Sequence, residues 1–253
     1  MAMTEDQVVT ALRAAGCVFA EDEAAALIKA APDDSALAEM VARRAGGEPL
    51  EQVVGFADFA GVRVRLRPGV FVPRVRSELL VREAVRRTAE HAVVVDLCCG
   101  SGALGLAVAR HRPEVTLYAA DVDPVAVACA RDNLAGRGEV FQGDLYDALP
   151  EPLPIDVLLA NVPYVATRHI PLLPAEARDH EPHTALDGGG DGLDVFRAVA
   201  AGASRWLTPG GVLLSEITEA QIEAATATAK GSGLRPEVVS DDDLEATVIV
   251  AVR

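Results

Sequence analysis

Residues 155–164 read IDVLLANVPY, and they decide how the rest of the chain is interpreted. The largely apolar run at 155–160 is typical of a strand buried on both faces of a parallel sheet. From residue 77 onward, further short apolar runs alternate with segments of helical periodicity. Such alternation predicts an α/β fold, a mostly parallel sheet with helices on both faces. We expect strands at 92–97, 115–120, 139–142, 155–160 and 211–217, helices at 77–90, 103–111, 124–134, 193–206 and 219–230, and a closing antiparallel pair at 235–240 and 246–252.

The tetrapeptide after this strand would lie where an open α/β sheet binds its ligands, just past a strand's carboxyl end. Asn161 offers a side-chain carbonyl acceptor, and Val162 offers a backbone carbonyl whose direction is fixed by Pro163. Tyr164 adds a flat aromatic face. Two acceptors beside an aromatic ring suit a planar NH2 group, so we predict that these four residues carry chemistry on an amide or amine nitrogen.

The amino-terminal part of the chain differs from the α/β part. Residues 4–46 are rich in alanine and have helical periodicity, with breaks near Gly16 and at 32–34. Alternating apolar residues and arginines at 62–67 then predict a strand, with a turn at Ala60-Gly61 before it. We therefore divide the chain into a helical module at 1–50, a β-hairpin linker at 51–76 and an α/β domain at 77–253. The segment at 165–194 is a long loop, of the kind that often covers a binding site.

A glycine-rich segment, DLCCGSG at 96–102, follows the first strand of the α/β domain and precedes a helix. Its glycines allow a tight turn close to a ligand, and the helix amino terminus offers free N–H groups. Asp121 ends the next strand at the spacing typical of an acid that binds the ribose hydroxyls of an adenosine cofactor. Asp144 could accept from the adenine amine, and Leu145 could cover the ring. The predicted cofactor-binding residues are Asp96, Cys98, Cys99, Gly100, Ser101, Gly102, Asp121, Asp144, Leu145 and Asn161.

Two cofactors are compatible with this segment. Residues 100–105, GSGALG, also fit the G-x-G-x-x-G pattern of NAD(P)-dependent oxidoreductases. However, Asp96 would repel a pyrophosphate, whereas it would attract the cationic groups of S-adenosylmethionine. The sequence therefore favours S-adenosyl-L-methionine as cofactor, with S-adenosyl-L-homocysteine as product.

Composition argues against several other classes of protein. The formal net charge of -15 disfavours stable binding to nucleic acid, and no apolar run approaches the ~18 residues of a membrane span. The acidic, polar start of the chain does not resemble a secretory signal, so we expect a cytoplasmic protein. None of the four cysteines forms a C-x-x-C pair, and the histidines at 169, 180 and 183 lie in the long polar loop. We expect no metal site.

Together these motifs resemble the protein-(glutamine-N5) methyltransferases, the HemK/PrmC group, over residues 47–221. The resemblance rests on residues 71–78 (FVPRVRSE), 96–102, 121–124 (DVDP), 161–164 and the stretch between Glu181 and Leu193. Val162 replaces the first proline of the family's Asn-Pro-Pro-Tyr signature, and Val75 and Arg76 replace a proline and an acid.

The resemblance implies a seven-stranded class I methyltransferase (Rossmann-like) sheet with an amino-terminal helical module and a connecting hairpin. It implies methylation of a glutamine side chain in a protein such as a peptide chain release factor, with the module recognising that protein. In such an enzyme Asn161 Oδ1 and the Val162 carbonyl would accept both N–H bonds of the acceptor amide. The alternatives are a small-molecule amine or amide N-methyltransferase, a dinucleotide-dependent oxidoreductase and a catalytically silent cofactor-binding module.

Overall fold

The computed structural model describes residues 3–253. Two of its four amino-terminal helices begin at a residue whose side chain caps the helix. Thr4 and Gln7 form a capping box, and the Asp33 carboxylate accepts a hydrogen bond from the Ala36 amide at 2.8 Å. The helices share a small core of their own that includes Leu12, Leu27 and Val41. They are α1 (Glu5–Ala14), α2 (Ala20–Ala30), α3 (Asp34–Ala45) and the short α4 (Leu50–Val54).

A hairpin follows the helices, as predicted. Strands β1 (Phe56–Phe59) and β2 (Val62–Arg65) pair antiparallel. Ala60 and Gly61 between them have φ angles of 45° and 79°, which is the backbone of a type I′ turn. Val64 is buried in the main core while the flanking arginines are exposed, so the alternation read from the sequence is also observed.

A seven-stranded sheet forms the centre of the rest of the chain. Its order is β5-β4-β3-β6-β7-β9-β8, and every pair is parallel except the two that involve β9. The predicted mostly parallel sheet with a closing antiparallel pair is therefore confirmed. The strands are β3 (Val93–Leu97), β4 (Thr116–Asp121), β5 (Gly138–Gln142), β6 (Ile155–Ala160), β7 (Leu207–Ile217), β8 (Arg235–Asp241) and β9 (Ala246–Val252).

Helices cover both faces of this sheet. On one face α5 (Glu78–Arg87), α6 (Ala103–His111) and α7 (Pro124–Asn133) share a core with the hairpin. The segment at 165–193, called the insert below, is more regular than the loop expected from the sequence. It contains a 3-10 turn at Thr167–Leu172 and the short helices α8 (Ala175–His180) and α9 (His183–Leu186).

On the opposite face α10 (Asp194–Trp206) and α11 (Ile222–Gly231) pack on the sheet through a second core that includes Phe196. Within residues 3–253, no helix combines the length and the apolar character needed to cross a bilayer.

Register brings four strand ends together. Leu97 of β3 pairs with Ala160 of β6 on one side and with Ala120 of β4 on the other. Chain order reverses between β3 and β6, and ligands bind at such a switch point in open α/β sheets. Leu159 also pairs with Leu214 of β7. The residues just past β3, β4, β6 and β7 therefore lie side by side.

Candidate active site

A cavity of about 360 Å³ lies over these strand ends. Its lining comes from the loops after β3, β4 and β6, from the chain before α5 and from the insert. The volume is in the range of small-molecule sites, and most of the wall is apolar, including Phe59, Phe71 and Leu104. Six of the ten predicted cofactor residues line the cavity: Cys98, Cys99, Gly100, Ser101, Asp121 and Asn161.

The Gly100 backbone is held in place by Asp121, which also lines the cavity. Gly100 has a φ angle of 55° and open space where a Cβ would stand, so its backbone can approach a ligand closely. Its N–H donates to Asp121 Oδ2 at 2.8 Å, and the Asp123 N–H donates to Oδ1 at 2.9 Å. Burial raises the pKa of the Asp121 carboxyl, although both hydrogen bonds oppose that rise.

Four predicted cofactor residues are absent from the cavity lining, so their direct contact with a cofactor stays a prediction. Gly102 instead allows close packing against Leu134, because a Cβ at position 102 would stand only 3.2 Å from that side chain. Leu145 packs against the core on the α10 face, and Asp144 precedes it. Asp96 is fully buried behind the glycine-rich loop.

The Asp96 carboxylate has only one of its oxygens satisfied. Oδ2 accepts the Gly105 N–H at 2.9 Å, whereas Oδ1 has no hydrogen-bond partner among residues 3–253. Burial raises the pKa of this carboxyl to about 7, because the charged form loses its hydration. The folded protein therefore retains a proton here that the unfolded chain has already released.

That difference predicts how Asp96→Asn changes stability with pH. The folded pKa lies above the unfolded value near 3.8, so stability from this group is present below pH 4 and lost as the pH rises through 7. Asparagine removes the titration. We expect the free energy of unfolding of the ligand-free variant, relative to wild type, to increase from pH 5 to pH 8, as measured by urea titration. A constant difference would contradict the raised pKa.

The two neighbouring thiols of the glycine-rich loop are not reactive nucleophiles. Burial raises the pKa of Cys98 to about 12 and that of Cys99 well above its usual value, so both are neutral thiols at physiological pH. In the described part of the chain, no three His, Cys, Asp or Glu side chains are grouped so that they could hold a metal ion.

The predicted catalytic tetrapeptide lies at the other side of the cavity. Asn161, Val162, Pro163 and Tyr164 all contribute to its lining. The Asn161 Nδ2 donates to Ser77 Oγ at 3.2 Å, while its Oδ1 is buried and finds no partner within residues 3–253. Val162 is only 2% exposed, and its side chain packs in the core.

Three residues behind the tetrapeptide were not identified from the sequence. Glu216 of β7 is buried and accepts hydrogen bonds from Ser77 Oγ at 2.6 Å, from the Tyr164 hydroxyl at 2.6 Å and from Arg76 Nε at 2.9 Å. A signal was present, because Ser215-Glu216 interrupts an apolar strand at its ligand end. Burial raises the pKa of the Tyr164 hydroxyl, so it stays protonated and donates.

The insert forms one wall of the cavity and is attached by ion pairs to the amino-terminal part of the chain. The buried Glu181 carboxylate pairs with Arg74 at 2.5 Å and accepts the Val72 N–H at 3.1 Å. Arg44 of α3 contacts Glu176 of α8 at 3.5 Å. The helical module therefore supports the wall of the site directly.

The cavity residues fit S-adenosylmethionine. Gly100 leaves room for a close ligand, Asp121 presents a carboxylate suited to hydroxyl donors, and Asp121 and Asp123 make this end acidic, as a cationic ligand requires. An unpaired buried acceptor, Asn161 Oδ1, stands at the opposite end and suits an N–H donor.

Comparison with known proteins agrees with this geometry. Residues 61–196, more than half of the chain, match the family described as "Methyltransferase small domain". A release factor glutamine methyltransferase from Moorella thermoacetica is 38% identical over 202 residues, which is 77% of this chain and 71% of that protein. A 4-amino-L-phenylalanine/4-methylamino-L-phenylalanine methyltransferase from Streptomyces pristinaespiralis is 36% identical over 222 residues, 84% of this chain and 76% of that protein.

The fold is shared with a solved structure of low identity. The 16S rRNA N2 G1207 methyltransferase of T. thermophilus, solved with AdoMet and guanosine, superposes with a TM-score of 0.57 at 21% identity, over 78% of this chain and 49% of that one. The chain spans about two thirds of the length of the first curated relatives it matches. The chain belongs to the methyltransferase small domain family, within the S-adenosylmethionine-dependent group that contains the release factor glutamine methyltransferases.

Proposed function

We propose that this enzyme transfers a methyl group to the side-chain amide nitrogen of a glutamine in a protein, with a peptide chain release factor as the first acceptor to test. The observation that carries this proposal is the buried, unpaired Asn161 Oδ1 beside the Val162 backbone. A buried acceptor left unpaired costs about 1–3 kcal/mol, and an N–H group of the acceptor molecule would recover that cost on binding. The names of the relatives supply the class of acceptor.

The chain's own residues then account for the reaction. S-adenosylmethionine, when bound, supplies an electrophilic methyl group. An amide nitrogen is a weak nucleophile, so Asn161 Oδ1 and the Val162 carbonyl hold its two hydrogens and fix the direction of its lone pair. The same oxygens stabilise the positive charge that develops on nitrogen. Pro163 and Tyr164 exclude water from the slot that holds the amide. The surplus proton leaves to solvent after methyl transfer, so no dedicated base is required.

The helical module, residues 1–50, is the proposed docking element for a protein acceptor. Val18 and Phe19, between α1 and α2, are 84% and 67% exposed, which is unusual for large apolar side chains on a module with its own core. The contact of Arg44 with Glu176 would connect a protein bound at the module to the wall of the cavity.

A second candidate acceptor is a small aromatic amine. The Streptomyces pristinaespiralis relative, whose name specifies such an amine, aligns over 84% of this chain, compared with 77% for the Moorella thermoacetica enzyme. An aryl amine is also a planar NH2 donor, and the apolar cavity wall could hold its ring. This alternative needs no docking of a protein at the helical module.

One methyl-transfer assay, run separately with each acceptor, distinguishes the two candidates. Purified enzyme is supplied with isotopically labelled donor and either unmethylated release factor or 4-amino-L-phenylalanine, and mass spectrometry locates the methyl group. We expect one added methyl on a glutamine nitrogen of the release factor, lost when that glutamine is replaced by glutamate. Methylation of the aromatic amine with no methylation of the release factor would establish the second candidate instead.

A further inference from the structure

The carboxylate of Glu216 organises the acceptor side of the cavity. It is 2% exposed, and its two oxygens accept hydrogen bonds from Ser77 Oγ, the Tyr164 hydroxyl and Arg76 Nε. Arg76 supplies the positive charge that a buried carboxylate needs. An ionised carboxylate has no proton to donate, so each of these three hydrogen bonds must point toward Glu216.

The direction of the Ser77–Glu216 hydrogen bond determines the orientation of the Asn161 side-chain amide. The Ser77 hydroxyl has one hydrogen, and Glu216 Oε2 takes it at 2.6 Å. The Ser77 oxygen can therefore only accept a hydrogen bond from Asn161, which it does from Nδ2 at 3.2 Å. The opposite orientation of the Asn161 amide would require Ser77 to donate twice. Oδ1 must consequently face away from Ser77, where it is the unpaired acceptor described above.

We propose that Glu216 and Ser77 are positioning residues that select the methyl-transfer orientation of the Asn161 amide. This inference rests on the proposed function, in which Asn161 Oδ1 accepts an N–H bond of the acceptor. In the flipped orientation, the hydrogens on Nδ2 would meet the hydrogens of the acceptor nitrogen. The two orientations of the Asn161 amide differ only by the exchange of Oδ1 and Nδ2. The directions of the hydrogen bonds from Asn161 to Ser77 and from Ser77 to Glu216 select one of them.

Glu216→Gln is the most direct test, because it keeps the size and shape of the side chain while it removes the charge opposite Arg76 and changes the direction of the hydrogen bond with Ser77. The glutamine oxygen can still accept from Tyr164 and Arg76, while its NH2 group replaces Oε2 and can donate to Ser77. Ser77 is then able to donate to Asn161 Oδ1, and the amide loses its preference. We expect kcat to fall at least ~10-fold, a fraction of the loss typical for removing a positioned polar group. Calorimetric affinity for S-adenosylhomocysteine should stay within about twofold, and the exposed Glu219→Gln serves as the matched control.

A double-mutant cycle shows whether Glu216 acts through Ser77. Ser77→Ala should also lower kcat, and Ser77→Thr should restore it, because threonine keeps the hydroxyl. If the connection runs through Ser77, adding Glu216→Gln to Ser77→Ala should cause no further loss. Losses that multiply in the double variant would overturn the proposal.

A spectroscopic measurement keeps this test independent of the acceptor. The side-chain ¹⁵N–¹H₂ resonance of Asn161, assigned with Asn161→Asp, should shift in Glu216→Gln and Ser77→Ala but not in Glu219→Gln. If wild type methylates neither acceptor while the resonance responds in this way, the proposed function fails and the orientation stands. An unmoved resonance, or an unaffected kcat in Glu216→Gln, would overturn the inference.

Discussion

Asn161→Ala is expected to lower the rate of methyl transfer by ~10²–10³, the usual consequence of removing one positioned polar group from a reaction centre. The variant loses the hydrogen-bond acceptor Oδ1, so one N–H of the substrate nitrogen is no longer held and its developing positive charge is stabilised only by the Val162 carbonyl. Donor affinity should change by no more than a few-fold, because Gly100 and Asp121 at the other end are untouched. Single-turnover rates with labelled donor and calorimetry with S-adenosylhomocysteine measure the two quantities separately.

Val162→Ala is the matched control for Asn161→Ala. The Val162 side chain packs in the core, so its truncation should lower stability while the backbone carbonyl and the transfer rate persist. An Asn161→Ala enzyme with full activity would exclude Asn161 from catalysis. A Val162→Ala enzyme that is folded but inactive would mean that the side chain acts directly.

Gly192→Ala is expected to have the largest effect on stability among the glycine variants of the insert. Gly192 has a φ angle of 83°, and a Cβ there would stand 2.2 Å from the Tyr164 carbonyl oxygen and 2.5 Å from Gln221 Nε2. Left-handed strain costs about 1–2 kcal/mol, and losing the hydrogen bond from Gln221 to Tyr164 adds about 1 kcal/mol. We expect thermal unfolding to begin roughly 5–10 °C lower, with reduced activity because Tyr164 is displaced.

Gly210→Ala is the control that separates the backbone strain of Gly192→Ala from its steric clash with Tyr164 and Gln221. Gly210 has nearly the same φ angle, 85°, but no atom lies within 4 Å of the position of its Cβ. It should lose only about 1–2 kcal/mol from the strained backbone and retain activity. Equal melting temperatures for the two variants would show that contact with Tyr164 contributes nothing.

Most of the fold followed from local patterns in the sequence. Helix α6 and strands β6 and β9 have the predicted bounds, because strong periodicity and flanking turn residues determine such elements locally. Strand β7 begins at Leu207 rather than at 211. Residues 209–211 (Pro-Gly-Gly) are typical of a turn, but in the structure they continue the strand beside β6 through an irregularity in the register. The helices of the insert were missed because proline and glycine dominate the segment locally, while contacts with distant residues such as Arg74 stabilise it.

The site was predictable only where it is local in sequence. The glycine-rich loop and the Asn161 tetrapeptide carry their own motifs, and the structure places both on one cavity. Ser77 and Glu216 are 139 positions apart, so only the folded structure, which brings the start of α5 against the end of β7, reveals that they meet. Asp144 has the expected strand position, but a spacing rule gives no side-chain direction, and its carboxylate lies outside the cavity lining.

The single unpaired oxygen of Asn161 also has a consequence for molecular discrimination. A carboxylic acid has almost the same shape as a carboxamide. When ionised, however, it would place a carboxylate oxygen against Asn161 Oδ1, and the two buried oxygens would repel each other. Sites built around a substrate N–H can reject the analogue that lacks it by factors of roughly 10⁴–10⁵. An acceptor that has undergone deamidation would therefore no longer be a substrate, and only chemically intact copies would be modified.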